Sequence, residues 1–351
     1  MEEGVLSAIG NTPIIKLNKV IKDATFHLYA KLEALNPGGS MKDRAAISML
    51  RQGIESGLIV PGMSIIESSS GNMGIGLAQA CVCYGLQFIC VVDPKTTSQN
   101  IALLRAYGAT IDLVSEPDPV TGEFLKARLD RVQHLLRTIE NSYWPNQYSS
   151  LHNPKGHHQT MHEIVTQLNQ QVDYLFCATS TCGTMRGCAE YVREHKLKTK
   201  IVAVDAIGSV IFGGTSAKRL IPGHGAAVRP QLYQDDLADQ VKHVSDLDCL
   251  VGCRRLARRE ALVSGGSSGA VIMAVEKLKD TIPSGSTCVA ILADRGDRYL
   301  DTIYSDEWVV KHFGDVFHLW ESAETTQLCA AAPHLFFDNQ EAAAADRTRA
   351  G

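Results

Sequence analysis

One lysine occupies a position that favours amine chemistry. Lys42 follows the turn-forming run Asn36–Gly39 and precedes a helical pattern that Ser40 can cap. The positive end of a helix dipole disfavours an ammonium in a first turn, so a partly desolvated Lys42 would have a lowered pKa and more free amine. Free amine is the form that Schiff-base chemistry requires. An ordinary exposed lysine at a helix start is the alternative.

Three loops rich in small residues could bind anionic groups. Small residues let a ligand approach the backbone, N–H groups at a helix start favour anions, and hydroxyls add donors. Ligands of open parallel sheets bind beyond the carboxyl ends of the strands. The loops together therefore predict a site with more than one anionic group, such as a phosphate and a carboxylate, although ordinary strand–helix turns would also explain them. They are Ser68–Asn72, Ser180–Thr184 and Ser264–Gly269.

Composition and charge exclude several functional classes. The 351 residues include 34 basic and 38 acidic side chains, and 45% are hydrophobic. This is sufficient for about two folded domains, and the charge is too balanced for a general attraction to nucleic acid or anionic lipid. The long uncharged run over residues 68–92 is rich in glycine and serine, which a lipid-facing helix would not carry. We therefore expect no nucleic-acid or membrane partner.

Two familiar kinds of binding motif are missing. No G-x-G-x-x-G follows a strand pattern and no Walker A sequence occurs, so a dinucleotide or nucleoside triphosphate is not favoured. Ten cysteines with no signal peptide indicate a reducing compartment and a cytoplasmic protein. The closest cysteine pairs, Cys81/Cys83 and Cys249/Cys253, have no matching second pair, and no metal site is expected.

Short apolar runs alternate with helical patterns, which predicts an α/β fold with parallel sheets covered on both faces. The predicted strands are Phe26–Leu32, Ser64–Glu67, Gln87–Val92, Thr110–Val114, Tyr174–Ala178, Lys200–Asp205 and Thr287–Ala293. The predicted helices are Arg44–Glu55, Gly74–Tyr84, Ser98–Tyr107, Phe124–Glu140, His157–Leu168, Thr184–His195, Leu247–Glu260 and Ala270–Asp280. We predict an N-terminal domain over residues 1–145, a C-terminal domain over 146–315 and a poorly ordered tail over 316–351.

The segment Asn36–Arg44 resembles the pyridoxal-phosphate lysine motif of the cysteine synthase family. The resemblance covers about residues 4 to 310 and implies a tryptophan-synthase-β-like fold (fold type II). In that fold two open, twisted parallel-sheet domains hold pyridoxal 5'-phosphate in the cleft between them, and the first ~35 residues cross to the C-terminal domain. The further motifs in family order are Gly10–Pro13, Ser70–Asn72, Gly223–Gly225, Ser267–Gly269 and Arg298–Leu300.

The resemblance also implies roles for individual residues. Lys42 would be the Schiff-base lysine and the base that removes the substrate α-proton. Asn72 would hydrogen-bond the phenolic oxygen of the cofactor, and Ser267 would face the pyridine nitrogen. The cofactor phosphate would bind Ser180, Thr181, Cys182, Gly183 and Thr184. The substrate carboxylate would bind Ser69, Ser70 and Asn72.

Runs such as Cys90–Lys95 and Asp294–Asp301 resemble a branch of this family that acts in siderophore biosynthesis. That similarity implies β-replacement through an aminoacrylate, with O-phospho-L-serine as donor and L-glutamate as nucleophile, for L-2,3-diaminopropionate production. Met73 stands where cysteine synthases usually have threonine, which weakens the case for sulfide. Arg128 and Tyr148 are candidates to bind the second amino acid, although Arg128 could equally be a solvated arginine on a helix face.

Other functions stay open. A cysteine or cyanoalanine synthase using O-acetyl-L-serine would differ in nucleophile and leaving group. Gly265–Gly269 also fits the G-x-S-x-G motif of serine hydrolases, with Ser267, Asp294 and His312 in the required order, but a charged helical pattern precedes it instead of a strand. A non-catalytic sensor of the same fold would be expected to lack the lysine. The family implies small-molecule amino-acid substrates and a homodimer.

Overall fold

Ten strands form two sheets in the computed structural model, which describes residues 4–120 and 122–320. The strands are β1 Ile14–Leu17, β2 His27–Leu32, β3 Ser64–Ser68, β4 Gln87–Val92, β5 Thr110–Leu113, β6 Ser142–Tyr143, β7 Tyr174–Ala178, β8 Lys200–Ala206, β9 Gln240–Val244 and β10 Thr287–Leu292. The helices are α1 Lys42–Glu55, α2 Asn72–Tyr84, α3 Ser98–Ala106, α4 Phe124–Thr138, α5 His152–Gln167, α6 Gly183–Glu194, α7 Asp246–Glu260, α8 Gly266–Leu278 and α9 Asp306–Phe313.

The larger sheet has six strands in the order β1-β2-β10-β7-β8-β9. All its pairs are parallel except β1–β2, which is antiparallel. Strand β2 from the start of the chain lies between β1 and β10, so the N-terminal segment is part of the C-terminal sheet. Separate clusters of buried side chains cover its two faces.

The smaller sheet has four parallel strands in the order β5-β4-β3-β6. Every residue of β3 is buried, as expected for a central strand of a parallel sheet. Helices cover both faces, and the larger of the two apolar clusters is on the side of α1 and α2. Two parallel-sheet units of this kind confirm the predicted α/β fold class.

The differences from the predicted elements have local causes. The predicted strands and helices are all present, whereas β1, β6, β9 and α9 were not anticipated. The additional strands are short and lie at sheet edges, where polar residues are tolerated and the apolar pattern is weak. Helix α5 begins at His152, five residues before the predicted start, because Pro154 occupies its first turn, where the missing N–H costs nothing.

Packed structure continues beyond the predicted start of the tail at residue 316. Val316, Phe317 and Leu319 pack against the C-terminal core, and Trp320 is only 1% exposed. Arg255 of α7 donates two hydrogen bonds to the Leu319 carbonyl. The burial of these apolar side chains explains why ordered structure extends past residue 316. The rest of the predicted tail, residues 321–351, lies outside the described residues. None of the described helices is both long and apolar enough to cross a bilayer.

Candidate active site

The loop before α1 is paired to the segment that follows β10. Met41 N donates to Ala293 O (2.9 Å), and Arg295 N donates to Gly39 O (3.1 Å). Ser40 and Asp294 therefore face each other in a short antiparallel bridge. This pairing places the end of the C-terminal sheet directly beside the helix that carries the candidate lysine.

Lys42 is the first residue of α1. Its N–H donates to Ser40 Oγ (3.2 Å), which is the local contact expected of a serine at a helix start. Burial lowers the pKa of the Lys42 ammonium to about 8, and the carboxylate of Asp294 acts in the opposite direction. About a tenth of the Lys42 side chain is then free amine at pH 7, far more than for an ordinary lysine.

The loop before α6 has the properties of an anion site. Helix α6 begins at Gly183 with no acidic residue in its first turn, and Cys182 before it is left-handed (φ 67°). Gly183 N donates to Thr181 Oγ1 (3.4 Å), while Ser180 is half-buried. Thr184 Oγ1 lies 3.5 Å from Met41 Sδ. The predicted phosphate loop therefore contacts the residue next to Lys42.

The loop before α2 approaches the same place from the smaller sheet. Ser69 Oγ accepts a hydrogen bond from Gly74 N (2.9 Å), so its hydroxyl caps α2. Asn72 Nδ2 donates to Asp294 Oδ2 (2.7 Å), and Asn72 Oδ1 accepts a hydrogen bond from Arg298. Ser70 is half-buried beside them. The two sheets are thus joined across the cleft through the Asn72 amide.

The start of helix α8 is the fourth segment of the candidate site. Ser268 is fully buried, and its hydroxyl accepts a hydrogen bond from Ala293 N (2.9 Å). Ser267 is only partly buried in the first turn of α8. Ser268 therefore fastens α8 to the end of β10, and Ser267 is the more accessible of the two hydroxyls.

Because Gly265 has no side chain, the Asp294 carboxylate can occupy the space beside it. A Cβ at this position would lie 2.1 Å from Asp294 Oδ1 and 2.7 Å from a ring carbon of Tyr299. We expect Gly265→Ala to displace the carboxylate and to lower the free energy of unfolding by roughly 1–3 kcal/mol, measured by urea denaturation. Gly71→Ala is the control, since a Cβ at Gly71 meets nothing within 4 Å, and equal stabilities for the two variants would contradict the prediction.

Arg128 and Tyr148 lie close together, at the carboxyl ends of β3 and β4. Arg128 on α4 is buried, and its Nε is 3.3 Å from Asp93 Oδ2. Its Nε and Nη1 have no hydrogen-bond partner among the described residues. Burial raises the pKa of Tyr148 to about 12, and the nearby Arg128 charge acts against this. Burial likewise raises the pKa of Glu67, another neighbour of Tyr148, to about 7.

Three residues of the cleft were not predicted as site residues. Asp294 and Tyr299 are hydrogen-bonded to each other (2.6 Å). His157 on α5 lies 3.2 Å from Thr184 Oγ1 through Nε2, and burial lowers its pKa well below the usual value. Asp294 and Tyr299 had usable signals, because Asp294 closely follows the carboxyl end of a parallel strand and Tyr299 falls in the motif Arg298–Leu300. The position of His157 depends on the packing of α5 against α6.

The hydrolase arrangement is not assembled. The Asp294 carboxylate accepts hydrogen bonds from Asn72 and Tyr299, with no histidine among its described partners. His312 is exposed and its ring packs against Trp308. Residues 261–263 before the G-x-S-x-G motif do not form a strand, so the strand–turn–helix that presents a nucleophilic serine is missing. The described residues also contain no group of three His, Cys, Asp or Glu side chains able to hold a metal ion.

Comparison with known proteins places these features in one family. Residues 5–294 match the family model described as pyridoxal-phosphate dependent enzyme. A hydrogen sulfide-producing enzyme from Fusobacterium nucleatum is 33% identical (TM-score 0.79), and the match covers 86% of this chain and 98% of that one. The O-acetylserine dependent cystathionine β-synthase from Helicobacter pylori is 31% identical (TM-score 0.81; 87% and 99% covered). O-ureido-L-serine synthase is 26% identical (TM-score 0.80; 93% and 99% covered).

Proposed function

Because this chain belongs to the family of pyridoxal-phosphate-dependent enzymes, we propose that it catalyses β-replacement on an activated L-serine. The donor is O-phospho-L-serine and the nucleophile is L-glutamate, so the products are N-(2-amino-2-carboxyethyl)-L-glutamate and phosphate. The observation that carries the proposal is the half-buried Lys42, which has a lowered pKa and lies where three glycine- and serine-rich loops converge.

The residues present fit pyridoxal phosphate. Lys42 supplies the amine that its aldehyde requires, and the first turn of α6 supplies N–H groups with no acidic side chain for its phosphate. Ser267 offers a neutral hydroxyl for the pyridine nitrogen, and Asn72 offers an amide for the phenolic oxygen. When bound, the cofactor withdraws electrons from the substrate α-carbon and so makes the α-proton acidic.

The chain's own residues bind the substrate and move the proton. Lys42 Nζ takes the α-proton, and the β-substituent leaves with its bonding electrons. The Ser69–Asn72 loop binds the substrate carboxylate at the start of α2, with Ser70 and the backbone N–H groups as donors, since the Ser69 hydroxyl accepts from Gly74 N and donates to Gly71 O. After the nucleophile's amine has added to the β-carbon and lost its proton, Lys42 returns a proton to the α-carbon.

Two observations support the choice of substrates. One solved relative is described as O-acetylserine dependent, which is consistent with an activated serine as donor. Arg128 is a buried cation beside Tyr148 that is ion-paired with Asp93, but its Nε and Nη1 have no hydrogen-bond partner among the described residues. Unpaired buried donors are costly, and a carboxylate of L-glutamate would satisfy them.

The nucleophile assignment predicts a selective effect of Arg128→Gln. We expect KM for L-glutamate to rise roughly 10- to 100-fold, the cost of a lost hydrogen bond to a charged group, while phosphate release from O-phospho-L-serine alone is unchanged. The control is Arg131→Gln on the same helix, since Arg131 pairs with Asp112 and its side chain is 39% exposed. An unchanged KM in a folded Arg128→Gln protein would contradict the assignment.

Absorption spectra of the purified protein would test the donor. The yellow band of the bound cofactor should shift when O-phospho-L-serine is added and return when L-glutamate follows. A shift with O-acetyl-L-serine alone would favour the second candidate, a cysteine or cyanoalanine synthase-type enzyme, which the O-acetylserine dependent relative supports. A protein that stays colourless with pyridoxal phosphate would contradict cofactor binding by this chain.

We also propose a cytoplasmic homodimer that supplies L-2,3-diaminopropionate for siderophore or other natural-product biosynthesis. Every cysteine that the structure describes is a free thiol, which supports a reducing compartment. The assembly can be checked by sedimentation. The pathway can be checked by feeding the product to a strain that lacks the gene.

A further inference from the structure

The carboxyl group of Asp294 is held at the centre of the cleft by both domains. Its Oδ2 accepts hydrogen bonds from Asn72 Nδ2 of α2 (2.7 Å) and from the Tyr299 hydroxyl (2.6 Å). Backbone pairing of Asp294 with Ser40 places it opposite the residue two before Lys42. These contacts hold the carboxylate in one position beside the start of α1.

The second oxygen of this carboxylate is buried and unpartnered. Asp294 is 2% exposed, and its Oδ1 has no hydrogen-bond partner among the described residues. Oδ1 occupies the space that the missing side chain of Gly265 leaves open. A buried carboxylate oxygen without a partner is costly, so its presence indicates a group that it serves.

Among the described residues around Lys42, Asp294 is the acid best placed to balance its positive charge. His157 faces Lys42 from α5, and burial lowers its pKa well below the usual value, so it is uncharged near neutral pH. Asp43 on α1 also has one buried oxygen without a described partner, but its other oxygen turns back to accept a hydrogen bond from Gly38 N (2.5 Å), and burial raises its pKa to about 7. Arg298 is bound to Asn72 and to the Gly38 carbonyl. Burial raises the pKa of Asp294, but the hydrogen bonds from Tyr299 and Asn72 and the charges of Arg298 and Lys42 act against this. Among the described acids, Asp294 is the one whose charge raises the pKa of Lys42.

We infer that Asp294 is the counter-ion of the Lys42 ammonium and a positioning residue for its proton transfers. The inference rests on the proposed function, in which Lys42 holds the α-proton between its removal and its return. A buried ammonium without an anion is strongly destabilised. Asp294 therefore keeps the proton-bearing Lys42 in place while the nucleophile enters.

The test is the pH dependence of Lys42 reactivity in cofactor-free protein. Carbamoylation of Lys42 by cyanate is quantified by mass spectrometry from about pH 6 to about pH 10, since only the free amine reacts. We expect the wild-type rate to rise with a midpoint at pH about 8. In Asp294→Asn the midpoint should move lower by about one pH unit or more, because an opposite charge has been removed. Asp294→Ser is a second neutral variant in case the first does not fold.

Asp297→Asn is the matched control, because Asp297 is an exposed acid only three residues away. Its midpoint should equal that of the wild type. Midpoints in the Asp294 variants that coincide with the wild type would overturn the inference. Uptake of pyridoxal phosphate by the same samples, followed at the yellow band, separates the two hypotheses: a wild type that binds no cofactor would contradict the proposed function, whatever the Asp294 variants show.

Discussion

Lys42→Ala is expected to abolish covalent cofactor attachment and to lower turnover by at least about 10³-fold. The substitution removes both the amine that bonds the cofactor and the base that moves the α-proton, and general acid–base catalysis alone contributes up to about 10⁴-fold. Borohydride reduction followed by mass spectrometry measures attachment. Wild-type protein should carry the pyridoxyl mass on the peptide with Lys42, and the variant should carry none.

Lys198→Ala is the matched control for this experiment. Lys198 is exposed and lies between α6 and β8, so its removal should change neither attachment nor rate. Turnover by Lys42→Ala at a rate near the wild type would exclude Lys42 as the base. A pyridoxyl mass on another lysine in wild-type protein would exclude it as the attachment point.

Glu163→Gln is expected to reduce the free energy of unfolding by roughly 3–5 kcal/mol, because it leaves buried cations with too little negative charge. Glu163 Oε2 lies 2.8 Å from Lys31 Nζ and 2.7 Å from Arg44 Nη2. Arg44 also pairs with Glu33 (2.7 Å). This cluster joins α5, β2 and α1, so the loss should appear as a lower urea midpoint for the whole chain.

The pH dependence of the same variant gives a second check. Burial alone would raise the pKa of Glu163, but Arg44 and Lys31 hold it at about 2, below its ordinary value of 4.5. The stabilisation is therefore complete above pH 4.5 and is lost as the pH falls toward 2 in the wild type, and the variant should lack this part of the acid dependence. Asp130→Asn, on an exposed pair with Lys126, should cost less than about 1 kcal/mol.

The sequence was sufficient for the fold class and for most elements. Strands such as β4 and β7 are continuous apolar runs, and their bounds agree with the prediction. The predicted range of α1 began two residues late, at Arg44, but the prediction that Lys42 lies in the first helical turn is confirmed. Edge strands were missed where polar residues alternate with too few apolar ones, as in β9.

The candidate site was predictable as a set of loops but not as a set of contacts. Lys42 and Ser267 could be singled out by motif and resemblance. The pairing of Ser40 with Asp294, and of Asn72 with the same carboxylate, joins residues from opposite ends of the described chain. No local pattern encodes such a pairing, because it follows from how the two sheets pack. The burial of Arg128 against Asp93 is of the same kind, since a polar helix face is expected to be solvated.

The place of β2 in the larger sheet has a consequence for biosynthesis. β2 pairs in parallel with β10, which is made only after most of the chain has been synthesised. The smaller sheet is contiguous between Ser64 and Tyr143 and can form on the ribosome while β2 still lacks this neighbour. High contact order of this kind slows folding, and an unpaired strand edge invites aggregation until its partner arrives. Translation arrested before Leu292 would therefore leave the smaller sheet formed and the larger sheet incomplete and prone to aggregation.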